Sequence, residues 1–171
     1  SALGAGISEN LANLRAGKVG IEKIKRFDSP RMAGMVELPN LRTFDRRLDF
    51  SGMNRISSYA TIAAKCALDS AKFAVKRDNC EDIGLAVSVC RGSSETAHMD
   101  SVFGDENHRG DIGCFSNVTA NSTAGWVSKA LEIKGTNITL TPGPNGGLQS
   151  LAFASDVISD AAAKQMLALA A

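Results

Sequence analysis

The run Thr139-Leu140-Thr141-Pro142-Gly143-Pro144-Asn145-Gly146-Gly147-Leu148-Gln149-Ser150 restricts the fold of this chain more than any other stretch. Before it, residues 137–141 carry β-branched side chains at Ile138, Thr139 and Thr141, the composition of a short, partly buried strand. After it, Leu148, Leu151, Ala152, Ala154, Ser155 and Ile158 recur at helical spacing among small or apolar residues, which predicts a nearly all-apolar, buried helix. A strand that enters a helix through a turn of prolines and glycines can set one residue at the helix's amino end. Unpaired N–H groups and the helix dipole there favour a thiolate or an oxyanion. The corner suits a nucleophile, yet no Ser, Cys or Lys stands between Thr141 and Ser150.

The chain has 171 residues, enough for one domain with a substantial core. Its formal net charge is +1 with both signs interspersed, which gives no electrostatic case for a nucleic-acid groove or an anionic membrane. No apolar run approaches membrane-spanning length, and no basic segment followed by an apolar one opens the chain, so a soluble, cytoplasmic protein is expected. The four cysteines, Cys66, Cys80, Cys90 and Cys114, form no C-x-x-C pair. His98 and His108 lie outside any metal-ligand spacing, so neither a metal site nor a disulfide framework is expected. Cys66 falls on a helical pattern and Cys90 ends an apolar strand, which predicts both as small buried hydrophobes.

Taken in order, Gly4-x-Gly6 lacks the third glycine and the preceding strand of a dinucleotide turn. Ser8 is the expected cap of a helix through Leu11, Leu14 and Arg15, ended by Gly17. Residues 21–27 and 33–36 are extended candidates around an Asp28-Ser29-Pro30 turn, and residues 44–49 are a mixed charge run expected on a solvated loop or helix face. Residues 57–75 predict a long helix with Tyr59, Ile62, Ala63, Cys66, Ala67, Ser70 and Phe73 on its buried face. Residues 83–89 predict a buried, parallel-type strand.

Residues 91–113 are polar and irregular. Ser93, Ser94 and His98 could be imagined as a hydrolase, but no oriented Asp or nucleophile elbow accompanies them, and a surface loop is the expectation. Residues 124–131 form a helix with small residues on one face, suited to close packing, with Gly135 as its expected stop. Residues 165–171 predict one more buried strand, at which the chain stops; a natural end there would be unusual. A half-fold exposing that edge should be poorly soluble alone. The alternation of strands and helices predicts an α/β layered domain.

Several stretches stand in a recognisable order: Gly4 with residues 10–21, Arg26-Phe27-Asp28, Tyr59 with residues 60–71, Ile83-Gly84 with residues 87–92, Phe115-Ser116-Asn117 with Asn121, and Gly135 through Leu140. Together they resemble the opening helix and L-x-x-G-x-x-G-I turn, the R-F-D, the first long helix, the I-G-v-v-x-G-x-G strand and loop, and the approach to the nucleophile in β-ketoacyl synthases of fatty acid and polyketide assembly. The resemblance implies the thiolase-like α/β fold, two similar halves each with a mixed β-sheet layered with helices, and buried helices between the sheets. Residues 1–171 would be its amino-terminal half, incomplete at both ends, with a shortened opening loop and no preceding first strand. The strand at 137–141 would pair with its counterpart across a dimer two-fold. Asn117, Asn121, Thr123, Trp126, Ile138 and Leu140 would be tunnel or dimer-interface residues. The plainer alternatives are core packing for Trp126 and loop or helix-cap hydrogen bonding for Asn117 and Asn121.

In that family the nucleophile lies nine residues after the glycine matched by Gly135 and three before the one matched by Gly147. Both counts land on Pro144, which has neither thiol nor hydroxyl and removes an N–H from the helix start. The family's two catalytic histidines belong to the other half. No catalytic residue is therefore expected here, and Gly143, Pro144, Asn145, Gly146 and Gly147 would be the remnant of a nucleophile turn. The resemblance implies a chain-length-factor-type subunit, without cofactor, that pairs with an active ketosynthase. The acyl or malonyl thioester would arrive on an acyl carrier protein. The turn looks most like the nucleophile-less subunits of bacterial aryl-polyene pathways. The alternatives are an active synthase whose catalytic residues lie on another chain or segment, with Cys114 as the only substitute thiol, and a phosphate loop at Gly143–Gly147, which lacks the Lys-Ser/Thr such a loop needs.

Overall fold

The computed structural model describes residues 1–37, 39–90, 102–104, 109–110 and 112–171, in two units, Ser1–Asp45 and Arg46–Ala171. In the first unit, helix α1 (Gly6–Arg15) starts three residues earlier than a Ser8 cap would set it. Ala5 holds the N-cap position, and its N–H donates to Glu9 Oε2 at 2.7 Å. A carboxylate in the first turn, next to the positive end of the helix, takes the place of the expected hydroxyl. Gly17 ends the helix as expected, at φ +67°, with its N–H on Leu14 O and the Lys18 N–H on Asn13 O. Asn10 Nδ2 reaches back to the carbonyls of Gly4 and Gly6, and Asn13 Nδ2 to that of Leu3, so two carboxamides fold the opening segment onto α1. Strands β1 (Ile21–Lys23) and β2 (Met32–Gly34) pair antiparallel, β1 inside the expected 21–27 segment and β2 starting one residue before the expected 33–36 segment, and α2 (Leu41–Phe44) is a single turn.

The second unit is built on a parallel sheet. Strand β3 (Ile83–Ser88) is buried at every residue, as an uninterrupted apolar run requires. It lies between β4 (Asn137–Leu140) and β5 (Gln165–Ala170), both parallel to it. Helix α3 (Arg55–Ser70) precedes β3. A 3₁₀ segment (Ile112–Asn117) and α4 (Ser122–Leu131) lead to β4, and a 3₁₀ turn (Gly143–Asn145) and α5 (Gly146–Ser159) lead to β5.

The two faces of the sheet differ in side-chain size. Ile83, Leu85, Val87 and Val89, with Leu167 and Leu169, form one core cluster with Ala60, Ala64 and Leu68 of α3 and Ala124, Val127 and Leu131 of α4. The alternate residues point the other way, toward α5: Gly84, Ala86 and Ser88 of the central strand with Met166, Ala168 and Ala170 of β5, and Ile138 and Leu140 of β4 in register beside Ala86 and Ser88. The small strip along Gly84, Ala86 and Ser88, with Ala168 and Ala170 beside it, lets a helix with small residues approach closely. Gly146, Ser150, Ala154 and Val157 accordingly form the buried stripe of α5, and Ser150 Oγ donates to Leu169 O at 3.0 Å. Of the expected buried face of α5 only Ala154 is buried, and its large residues point outward: Leu148 is 73% exposed, Leu151 60% and Ile158 46%.

A similar inversion corrects α3. Its buried side is Ser57, Ser58, Ala60, Thr61, Ala64 and Leu68, while Ala63, Cys66, Ala67 and Ser70 of the expected face are exposed, and the helix stops at Ser70 rather than 75. Periodicity marks a face without saying which of two mildly apolar faces meets the sheet. Cys66 and Cys90 are exposed rather than buried, while Cys80 is buried. Gly135 does not end α4; Glu132, left-handed at φ 57°, does. Gly135 instead lies where a Cβ would approach Ile83 O at 2.5 Å and Glu81 O at 2.6 Å. Ser93, Ser94, His98 and His108 lie outside the described residues. Among the described residues no helix is long and apolar enough to cross a membrane.

Leu85 is fully buried in the central strand, so Leu85→Ala should cost about 2–5 kcal/mol in urea unfolding. Leu148→Gln, on the outer face of α5, should stay within about 0.5 kcal/mol of the parent chain. Equal losses at the two sites would show that α5 faces the sheet with its leucines.

Candidate functional site

Beyond the carboxyl end of β4 the chain turns through Pro142, the N-cap of the 3₁₀ turn, and Gly143, whose φ of +77° suits glycine. Pro144 and Asn145 follow, both exposed, and Gly146 begins α5 buried against the sheet. Asn145 occupies the N-cap position without a side-chain hydrogen bond to the helix. The amino end of α5 thus keeps the electrostatic character that would favour an anion or a thiolate. The side chain presented there is a pyrrolidine ring, which can neither attack a thioester nor carry an acyl group.

What holds this turn in place was not apparent from the sequence. Ser88, buried at the carboxyl end of β3, sits directly against Gly146, so that a Cβ on Gly146 would collide with the Ser88 side chain. A Cβ on Gly147 would lie 3.5 Å from Ala170 Cβ, an ordinary contact. Glycine at 146 is thus a requirement of close approach, and the buried hydroxyl of Ser88 fixes how near the helix comes.

The remaining candidates fall into two groups. Asn117 and Trp126 are brought together: Trp126 Nε1 donates to Asn117 Oδ1 at 2.8 Å, and Asn117 Nδ2 donates to Gly52 O at 2.9 Å. The Asn117 carbonyl accepts from Asn54 Nδ2 at 3.1 Å and from Ser122 Oγ at 3.5 Å. Asn54 in turn caps α3, its Oδ1 accepting the Ser57 N–H at 2.8 Å. Gly52, at φ +76°, lies beneath the indole, where a Cβ would come within 3.2 Å of Trp126 Cη2. Lys129 Nζ stands 4.9 Å from the centre of the indole ring. Nearby, hydrogen bonds from the Ser51 side chain and then its N–H hold the Asp49 carboxyl below its ordinary value, with Lys129 adding a weaker pull. Thr123 is buried on α4, while Asn121 is exposed at the N-cap position without a side-chain cap bond.

Ile138 and Leu140 form the second group, half-buried on β4 opposite Ala86 and Ser88. Among the described residues β4 pairs on one side only, so one row of its backbone groups is open within this sheet. Asn54 and Gly52 were missed from the sequence. Asn54, three residues before Ser57 at the head of a helical run, carried a legible cap signal. Gly52 carried none, because its role depends on a tryptophan far along the chain. Among the described residues no group of three or more His, Cys, Asp or Glu could hold a metal ion. The backbone of Cys114 lies in the 3₁₀ segment, and its side chain is outside what is described.

The model of the family Beta-ketoacyl synthase, N-terminal domain, matches residues 1–171. Among solved structures, the ishigamide ketosynthase/chain length factor is similar at a TM-score of 0.77 and 24% identity over 95% of this chain and 42% of that one. A beta-ketoacyl synthase from Burkholderia phymatum STM815 is similar at a TM-score of 0.75 and 25% identity over 98% of this chain and 43% of that one. The chain therefore spans about two-fifths of the length of the solved structures it matches. No curated protein matches it.

Two substitutions test this geometry. Gly146→Ala should cost about 1–3 kcal/mol by overpacking, and most of that loss should vanish when Ser88→Gly is added. An unchanged loss in the double variant would place the clash elsewhere. Asn117→Ala should cost about 2–4 kcal/mol and shift the emission of the single tryptophan, because it leaves the partly buried Trp126 N–H and the Gly52 carbonyl without their partner. A variant with parental stability and emission would show that the carboxamide is not the tie.

Proposed function

The chain belongs to the β-ketoacyl synthase family, as its amino-terminal domain, and on that premise we propose that it is a non-catalytic, chain-length-factor-type component of an acyl-assembly system. The observation that carries this reading is the side chain at position 144. Decarboxylative condensation needs a thiolate to hold the growing acyl group and hydrogen-bond donors to stabilise the enolate that attacks it. The corner keeps the turn, the glycines and the helix start, but at the position that should carry the thiol it presents Pro144.

In this reading the active nucleophile belongs to a partner ketosynthase, and an acyl carrier protein brings the acyl or malonyl thioester to the pair in the cytoplasm. The open edge of β4 supports pairing with the corresponding strand of that partner, with Ile138 and Leu140 beside the two-fold. The region of Asn117, Asn121, Thr123 and Trp126 contributes to the same interface or to the wall of the acyl tunnel. The exposed Leu148, Leu151 and Ile158 face of α5 is covered by the other half of the duplicated fold, in keeping with the two-fold greater length of the solved relatives. The Thr141-Pro142-Gly143-Pro144-Asn145-Gly146-Gly147 turn resembles those of nucleophile-less aryl-polyene subunits, which makes an aryl polyene the proposed class of product.

Acyl transfer tests the reading. Incubated with an acyl carrier protein bearing an acyl thioester, the chain should gain no acyl mass. The Pro144→Cys variant alone, without a partner, should perform no condensation with a malonyl thioester. Stable acylation of the parent chain mapped to Cys114, or condensation by Pro144→Cys alone, would overturn it in favour of an active synthase.

A further inference from the structure

The sheet has a second edge that the nucleophile turn does not use. Gly143–Gly147 follows the carboxyl end of β4, whereas the segments leading into β3 and β4 meet at the opposite, amino-terminal edge. There the Lys134 N–H donates to Cys80 O at 2.8 Å and joins the two segments. The junction floors an open groove of about 500 Å³ with Cys80 and Ile133, both nearly fully buried. Arg77, Lys129 and Lys134 stand around it, with Glu132 as the single acidic residue among the lining.

Some basic residues of this unit are paired, while Lys72 and Lys76, like the three at the groove, form no ion pair among the described residues. Lys65 pairs with Asp69, and Lys164 with Asp82. Among the described residues Arg77, Lys129 and Lys134 form no ion pair; Lys129 instead lies over the Trp126 ring and attracts Asp49 only at longer range. Three basic residues therefore line a groove with one apolar floor, in a chain whose net charge is only +1.

From this we propose that the groove docks an acidic segment of another protein, carboxylates toward Arg77, Lys129 and Lys134 and an apolar side chain over Cys80 and Ile133. The site is independent of the reading given for Pro144. A compact dianion such as phosphate fits less well, because the groove includes the carboxyl-terminal turn of α4, whose carbonyl dipoles repel dense negative charge on the floor. Carboxylates carried on a peptide meet the outlying arginine and lysine heads without approaching those carbonyls. Nucleic acid fits less well still, since three cations neutralise few phosphates.

A fluorescein-labelled peptide of alternating Glu and Leu is the probe, followed by polarisation at low salt on the whole chain. The expected result is saturable binding that weakens with added NaCl and falls at least about tenfold in Arg77→Ala/Lys134→Ala. Arg77→Lys/Lys134→Arg should restore it, which separates lost charge from lost fold. Lys18→Ala/Lys23→Ala, at exposed sites of the first unit, should bind as the parent does. Equal binding by Arg77→Ala/Lys134→Ala, equal binding of the Gln-for-Glu peptide, or displacement of the probe by equimolar inorganic phosphate or an oligonucleotide would each overturn the proposal.

Discussion

The close seating of α5 on the parallel sheet is the constraint from which the rest of this structure follows. Gly146 lies against Ser88, Gly147 near Ala170, and Ser150 Oγ on the carbonyl of Leu169. These contacts fix the height of the helix start at the carboxyl end of the sheet, so the Pro142–Asn145 turn must stand where a nucleophile would be presented. They also decide the outward face. With the small residues committed to the sheet, Leu148, Leu151 and Ile158 have nowhere to go but away from it. Burying three such side chains elsewhere is worth roughly 1.5–3 kcal/mol each, a strong pull toward a larger assembly.

Asn117 plays the corresponding part on the other face. Its carboxamide and carbonyl bind the Gly52 loop, the Asn54 cap of α3, Ser122 and the Trp126 indole, so directional bonds add to the apolar core in holding the heads of α3 and α4 together. Buried polar groups that satisfy one another specify a single arrangement more sharply than interchangeable aliphatic contacts do. The indole is thereby pinned by Asn117, by Gly52 beneath it and by Lys129 beside it. Any surface it offers to a tunnel or a partner is presented in one fixed orientation.

The elements legible in the sequence were those whose signals are local. The uninterrupted run of β3 announced a fully buried strand, Gly17 a left-handed helix end, and the proline–glycine turn a corner between β4 and α5. The errors share one cause, that burial depends on the opposing surface. The apolar periodicity of α5 and α3 is real, but beneath α5 the central strand offers only Gly84, Ala86 and Ser88. The helix therefore turned its larger side chains outward. Gly135 looked like a helix stop because its contacts with Ile83 and Glu81 are made across the sheet. Gly146 and Ser88 could not be paired from the sequence, being 58 positions apart with nothing in either segment that names the other.

The central claim, that this family member works as the nucleophile-free partner of an active synthase, is tested most directly by the native mass of the complex purified from its source. The intact mass of each chain after denaturation completes the measurement. The account predicts a second, homologous chain, bearing a cysteine where this one has Pro144, in fixed ratio with it. A complex containing only copies of this chain would contradict the claim and leave a scaffold or degenerate remnant as the better description.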